Sequence, residues 1–367
     1  VNALRRTFAI AWLEIALLLR SRTTFTLLIL VPALQVLLFG YAIRPGAAVV
    51  TVAIAAPTPA NADDIARRLR SEPGFVVTVT RLKPGEAADV VRQGKALIGI
   101  EVPASRSFAN PLQVQQPLRL VVDGTNAALT DAAVARIEAA YWREITGRSD
   151  MAESGPGIRV ERLYNAQGRA DWTFLPALIG VTVMIAMVML GTLSVARERE
   201  AGTWEGLAAL PISAAEILAG KLLPCMVIGT VQGVLVLTIG QLLFDLPARG
   251  SVVALVALLP VFAGAHYVLG YVVSVRARTQ LAALQGAVAF YLPAMLLSGF
   301  LYPFDTLPNW ARMIGNLFPL AHMIRAARAA LLQGAGAEAV LAHGFPILAF
   351  LVVGIAIALI APPPRLD

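Results

Sequence analysis

Residues 197–221 read Arg197-Glu-Arg-Glu200-Ala-Gly-Thr-Trp-Glu205-Gly-Leu-Ala-Ala-Leu210-Pro211, then Ile-Ser213-Ala-Ala-Glu216-Ile-Leu-Ala-Gly220-Lys221. Apolar sequence flanks this polar island on both sides, over 173–196 and 222–244. Each flank meets the length of about 20 apolar residues that a helix needs to cross a hydrocarbon core of about 30 Å. Arg197, Glu198, Arg199 and Glu200 continue the helix that leaves the membrane. Gly202, a poor helix former, bends it. Thr203 is placed to cap a new short helix, with Glu205 in its first turn, where the helix dipole favours a carboxylate. Trp204, Leu207 and Leu210 follow at intervals of three and share one face. Pro211 ends the helix. Ser213 and Glu216 then fit an S-x-x-E capping box, which starts the helix of the next span. The island thus predicts a short amphipathic helix held between two breaks, with acidic and apolar groups facing the cytosol for a soluble partner. The competing reading is a charged loop that only sets topology.

Working outward, the composition has the same sense. Of 367 residues, 57% are hydrophobic and only 14% charged, against about 25% charged in soluble domains. Six apolar runs have spanning length: 23–43, 173–196, 222–244, 252–275, 281–301 and 344–360. The fold class is therefore an α-helical membrane protein with six transmembrane helices and, over 44–171, an inserted extracytoplasmic α/β domain. None of the six runs contains Asp, Glu, Lys or Arg, and His266 is the one histidine within them. Ion-coupled transporters place carboxylates or charged relays inside the membrane, so the energy for any transport here must come from elsewhere.

Charge sets the orientation. Arg5, Arg6, Arg20, Arg22, Arg197, Arg199, Lys221, Arg276, Arg278 and Arg365 fall in the short segments of one side, and Arg249, Arg312, Arg325 and Arg328 on the other. Cations accumulate on the cytoplasmic side, which places both termini and the island inside. The net charge of +7 is thereby accounted for by membrane flanks, not by a nucleic-acid surface. Cys225 is the single cysteine, and His266, His322 and His343 are scattered, so neither a disulfide framework nor a histidine–cysteine metal site is expected.

Residues 1–22 mix Arg5, Arg6, Arg20 and Arg22 with Leu4, Phe8, Trp12 and Leu13, which suits an amphipathic helix on the cytoplasmic face. The run 23–43 reads as a retained anchor, because a cleavable signal would be shorter and begin earlier. Residues 44–171 carry 16 Lys/Arg and 14 Asp/Glu. Short β-branched runs at 49–55, 75–80, 96–102 and 118–122 predict strands. Helices are predicted over 62–70 after an Asn61 cap, over 86–93, and over 127–146. Residues 155–169 read as a loop, and Trp172 as an interfacial anchor. This domain has no histidine or cysteine, and Asp123-Gly-Thr reads as a turn at a strand end. Docking or gating suits it better than catalysis.

Between 298 and 336 come Ser298-Gly299-Phe-Leu-Tyr-Pro303, Leu307-Pro308-Asn-Trp310 and Asn316-Leu-Phe-Pro319. Proline at these positions forbids one continuous helix, so 302–336 is expected to form short helices in the outer leaflet. An ordinary amphipathic surface loop fits the same residues.

The island resembles the R-E-x-E-x-G-T-x-E-x-L-x-x-x-P-x-S-x-x-E-x-x-x-G-K pattern of type-2 ABC exporter permeases. Glu198, Glu200, Gly202, Thr203, Glu205, Pro211, Ser213, Glu216, Gly220 and Lys221 stand at the matching positions. The breaker-rich stretch through Gly299, Pro303, Pro308, Trp310, Asn316, Pro319 and Arg328 is also similar to that family. A large domain after the first span resembles its drug-exporter-like subgroup. The resemblance implies that residues 197–211 couple to a separate ABC ATP-binding subunit, which would hold ATP and Mg. It implies a second permease chain, identical or paralogous, since six spans are half of what the family uses. It leaves room for a periplasmic adaptor, and lipid surrounds the chain. Tyr164-Asn165-Ala166 departs from an expected Asn-Pro. Independently, no G-x-x-x-x-G-K-[ST] phosphate loop occurs in these 367 residues, so this chain is read as a transport subunit and not an enzyme. Two functional readings stay open: an ATP-driven exporter of apolar or amphipathic molecules in the bacterial inner membrane, and a non-transporting envelope scaffold.

Overall fold

The computed structural model describes residues 3–20, 50–71, 75–103, 117–146, 158–169, 171–208, 212–277, 279–301, 304 and 307–360. The expected first span at 23–43 lies outside them. The chain divides into two compact units.

One unit is built on a five-stranded sheet. Its elements are β1 (Val50–Ala55), α2 (Pro59–Ser71), β2 (Phe75–Leu82), α3 (Ala87–Arg92), β3 (Ile98–Glu101), β4 (Leu118–Asp123), α4 (Ala127–Thr146) and β5 (Ile158–Leu163), and the strand order is β2-β1-β3-β4-β5. Only β3 and β4 run antiparallel. Side chains alternate across a strand. Val50, Val52 and Ile54 accordingly meet Ala66 and Leu69 of α2 and Val134 and Ile137 of α4, while Ala53 and Val121 lie in the small clusters with α3.

Three local expectations change. The helix predicted from 62 begins at Pro59, which supplies a fixed φ at the first turn. Its cap is Thr58, whose hydroxyl accepts the Asn61 N–H at 3.4 Å, and Asn61 is helical. The stretch 155–169, read as loop, contains β5. Its charges hid it: Arg159, Glu161 and Arg162 stand among Ile158, Val160 and Leu163, as suits an edge strand with one paired side. Trp172 is buried, with the Arg169 guanidinium 5.1 Å from its ring. Asp123 ends its strand as the expected turn, its carboxylate accepting the Thr125 N–H and hydroxyl at 2.9 and 2.7 Å. Asn165 is fully buried. Its amide donates to the carbonyls of Gly124 and Arg169, and its oxygen accepts the Arg169 N–H.

The other unit is helical. After α1 (Ala3–Arg20), its elements are α5 (Asp171–Glu200), α6 (Thr203–Ala208), α7 (Ala214–Phe244), α8 (Val252–Arg276), α9 (Gln280–Leu297), α10 (Asn309–Gly315), α11 (Pro319–Arg328), α12 (Ala337–Ala342) and α13 (Gly344–Ile360). Among the described residues five helical stretches are long and apolar enough to cross a membrane: Asp171–Glu200, Ala214–Phe244, Val252–Arg276, Gln280–Leu297 and Ala337–Ile360. This is a multi-pass helical membrane protein.

Small residues set the packing, as they must where lipid is as apolar as leucine. A Cβ on Gly191 would stand 2.3 Å from the carbonyl oxygen of Tyr267, and one on Gly270 would stand 2.4 Å from that of Val188, so α5 and α8 touch backbone to backbone. Beside this crossing the Ser274 hydroxyl accepts the N–H groups of Val195 and Ala196 at 3.0 and 2.9 Å. Gly229 and Gly233, spaced as GxxxG, pack against Ala263 and Leu259 of α8, within this chain.

Candidate functional site

The end of α5 is the centre of the site. Gly202 stops the helix with φ +71°, a left-handed conformation that costs glycine nothing. Thr203, expected as the cap of α6, is instead its first residue. Its hydroxyl donates back to the Glu198 carbonyl at 3.2 Å, which secures the end of α5. Trp204 is buried, and the Arg199 guanidinium lies 5.8 Å from its ring. Leu210, Pro211 and the side chains of Glu205 and Leu207 lie outside the described residues. Arg197 is exposed.

Three consecutive side chains then fasten three different helices. Glu198 accepts a hydrogen bond from Lys221 of α7 at 2.6 Å. Arg199 donates to the carbonyls of Val275 and Ala277 at 2.9 and 3.2 Å, closing the end of α8. Glu200 accepts the backbone and side-chain N–H groups of Gln280 at 2.6 Å each, at the start of α9. Successive helix positions point about 100° apart, so one turn reaches three neighbours. This revises the expectation that the acidic groups face outward for a partner in one case: Glu198 is turned in to Lys221, while Glu200 is exposed and also holds Gln280.

The start of α7 completes the junction. The capping box forms, with Ser213 Oγ accepting the Glu216 N–H at 3.2 Å and Glu216 Oε2 accepting the Ser213 N–H at 2.8 Å. Glu216 Oε1 also takes both Nε and Nη2 of Arg6, at 3.1 and 2.8 Å. One turn on, Gly220 admits α1: a Cβ there would meet the Ile10 side chain at 2.7 Å and the Thr7 carbonyl at 3.0 Å. Lys221 is almost fully buried and bridges Glu198 and Glu14 of α1. The arrangement is a mechanical one. Two carboxylates and an ammonium share a buried site, and the end of α8 and the start of α9 receive side chains of α5.

Arg6, Glu14 and Gln280 are contact partners of the expected site residues that the sequence reading did not place there. Arg6, Ile10 and Glu14 are spaced by four and line the buried face of α1, while Leu4, Phe8, Trp12 and Leu13 are exposed. The polar stripe points into the protein and the apolar stripe away from it. A paired Arg and Glu at i and i+8 around an isoleucine was the available signal.

The second group of expected residues forms its own cluster. Gly299, with φ +86°, follows the end of α9 at Leu297, four residues short of the predicted 301. Pro308 precedes α10, and Pro319 stands in the first turn of α11. Asn316 joins the two: its side-chain oxygen accepts Arg325 at 2.7 Å, and its carbonyl pairs with His322 Nε2 at 2.9 Å. Arg328, buried, donates to the Gly299 carbonyl at 3.3 Å. Trp310, Met313 and Leu317 are exposed. Pro303 lies outside the described residues.

The family model for ABC-2 family transporter proteins matches residues 22–361. The chain belongs to the ABC-2 transporter family. Among its relatives is the protein named probable multidrug ABC transporter permease YbhR of Escherichia coli K12. It is 28% identical over 345 residues, which cover 91% of this chain and 92% of that protein. The probable multidrug ABC transporter permease YbhS of the same organism is 23% identical over 339 residues, 90% of this chain and 89% of its own. The E. coli inner membrane transport permease YhhJ matches more locally, at 29% over 177 residues, 45% of this chain and 44% of that one.

Proposed function

We propose that this chain is the membrane-spanning permease subunit of an ATP-driven exporter in the bacterial inner membrane. It spans the membrane six times with both termini cytoplasmic, and the α/β unit lies outside. A separate ABC ATP-binding subunit, carrying ATP and Mg, engages α6. A second permease chain, identical or paralogous, completes the pathway, and the α/β unit offers a docking surface for a periplasmic adaptor. The cargo is apolar or amphipathic, taken from the cytoplasm or the inner leaflet.

One observation carries this reading: a six-residue helix, set off by Gly202, whose flanks are wired to α1, α7, α8 and α9. The absence of charge from the spans supports it, because energy must then enter from outside the bilayer. The test is co-purification with the cognate ATP-binding subunit and ATP turnover of the reconstituted complex. Gly202→Pro and Glu205→Arg are expected to abolish both. Wild-type levels of both in the two variants would refute the reading.

A further inference from the structure

Glu198, Arg199 and Glu200 have their partners inside the chain, and this bears on how a push on α6 travels. Arg199 closes the end of α8, and Glu200 closes the start of α9. Glu198 reaches Lys221, which also holds Glu14, so the last turn of α5, the second turn of α7 and the third and fourth turns of α1 meet at one buried ammonium. Two more contacts hold α1 to α7: Arg6 on Glu216 and the close approach at Gly220. Few residues separate α6 from these anchors, since α5 ends at Glu200 and α7 begins at Ala214.

We propose that Glu198, Arg199 and Glu200, with Glu14 and Lys221, form a junction that makes the ends of α1, α7, α8 and α9 move with α6 as one body. Glu14 and Glu200 are positioning residues: they touch neither ATP nor cargo and act through the helices they hold. The chemistry favours such a role. A buried carboxylate–ammonium–carboxylate set is directional and intolerant of separation, because parting any pair leaves a charge uncompensated away from water. Apolar contacts between the same helices would slide at less cost. The terminal bonds of Arg199 and Glu200 have a similar property, since each satisfies backbone groups that a helix end otherwise leaves open.

The inference rests on the reading of α6 as the receiver of ATP-driven force, and the test separates the two. Spin labels are placed by Ala9→Cys on α1, Gly206→Cys on α6, Leu281→Cys on α9 and Ile360→Cys on α13, a helix outside the junction; all four positions are exposed, and the native Cys225 is buried. Distances are measured in the full complex with its ATP-binding subunit, nucleotide-free and trapped with ATP and vanadate. The 206–360 distance is expected to change on trapping, while 9–206 and 206–281 stay constant. Arg6→Gln/Glu14→Gln, which removes both polar ties of α1 to α7, should release 9–206 alone, and Glu200→Ala should release 206–281 alone, each becoming nucleotide-dependent. A residue of merely structural importance would lower yield and leave this nucleotide dependence unchanged. The charge-free variant Arg6→Gln/Glu14→Gln/Lys221→Met/Glu198→Gln guards against misfolding from an unpaired buried charge and should also release 9–206. The inference is overturned if 9–206 or 206–281 changes in the wild type as much as 206–360. It is also overturned if the variants stay locked. A constant 206–360 during ATP turnover would overturn both it and the reading of α6.

Discussion

Adding the same methyl group at two glycines four residues apart should have opposite effects on the segment around α6. At Gly202 a Cβ would meet nothing within 4 Å, so the cost of Gly202→Ala is purely conformational. Its φ of +71° is left-handed, and an L-residue pays about 1–2 kcal/mol there. At Gly206, within α6, a Cβ also meets nothing within 4 Å, and the backbone is helical. Gly206→Ala therefore gains about 1 kcal/mol of helix propensity. Neither change alters packing, so a global melting temperature is a poor probe, and local opening is the right one. Hydrogen–deuterium exchange of residues 197–208 reads it directly. With tenfold per 1.4 kcal/mol, Gly206→Ala should slow exchange in α6 about fivefold, and Gly202→Ala should speed it about 5–30-fold. If Gly202→Ala slowed exchange as Gly206→Ala does, α5 would run through position 202 unbroken. The separate short helix, and the lever built on it, would then be wrong.

Other outcomes follow from single contacts. Gly191→Ala should lower the melting point of the detergent-solubilised protein, because its Cβ would stand 2.3 Å from the Tyr267 carbonyl oxygen; overpacking of this kind costs about 1–3 kcal/mol. Asn165→Ala, which strands the carbonyls of Gly124 and Arg169, should destabilise the α/β unit by about 1–3 kcal/mol, seen as faster exchange in β4 and β5. Burial holds the Glu138 carboxyl above its usual range, outweighing the nearby Arg162. The ionised form is therefore the costly one in the folded state, and the cost is present at high pH and disappears as pH falls through the folded pKa towards the unfolded one. Glu138→Gln should protect α4 from exchange at pH 7 and lose that advantage near pH 4; protection that grew on acidification would contradict the assignment.

The helical spans and most strands were legible because local pattern decides them. Apolar length predicts α5, α7, α8 and α13, and β-branched runs predict β1 to β4. The capping box at Ser213 and Glu216 was readable for the same reason, since its partners are three residues apart. What the sequence withheld is long-range. Glu14 and Lys221 are 207 positions apart, and Glu200 and Gln280 are 80 apart; nothing in either neighbourhood names the other. Charge also misled twice. In β5 it concealed an edge strand, and in Glu198 it suggested an outward face where the side chain pairs with the buried Lys221. Lys221 was read from charge only as a cation of the cytoplasmic side, and its pairing with Gly220 in one motif came from the family resemblance; the packing of α1 supplies the physical reason.

The central claim is that α6 meets an ATP-hydrolysing subunit on the cytoplasmic side. A photo-cross-linking residue at the exposed position 206, in intact membranes, tests it most directly, with the same residue at Val253 at the opposite end of the spans as control. The account predicts an adduct between this chain and the ATP-binding subunit from position 206 and none from 253. An adduct from 253 and none from 206 would contradict it.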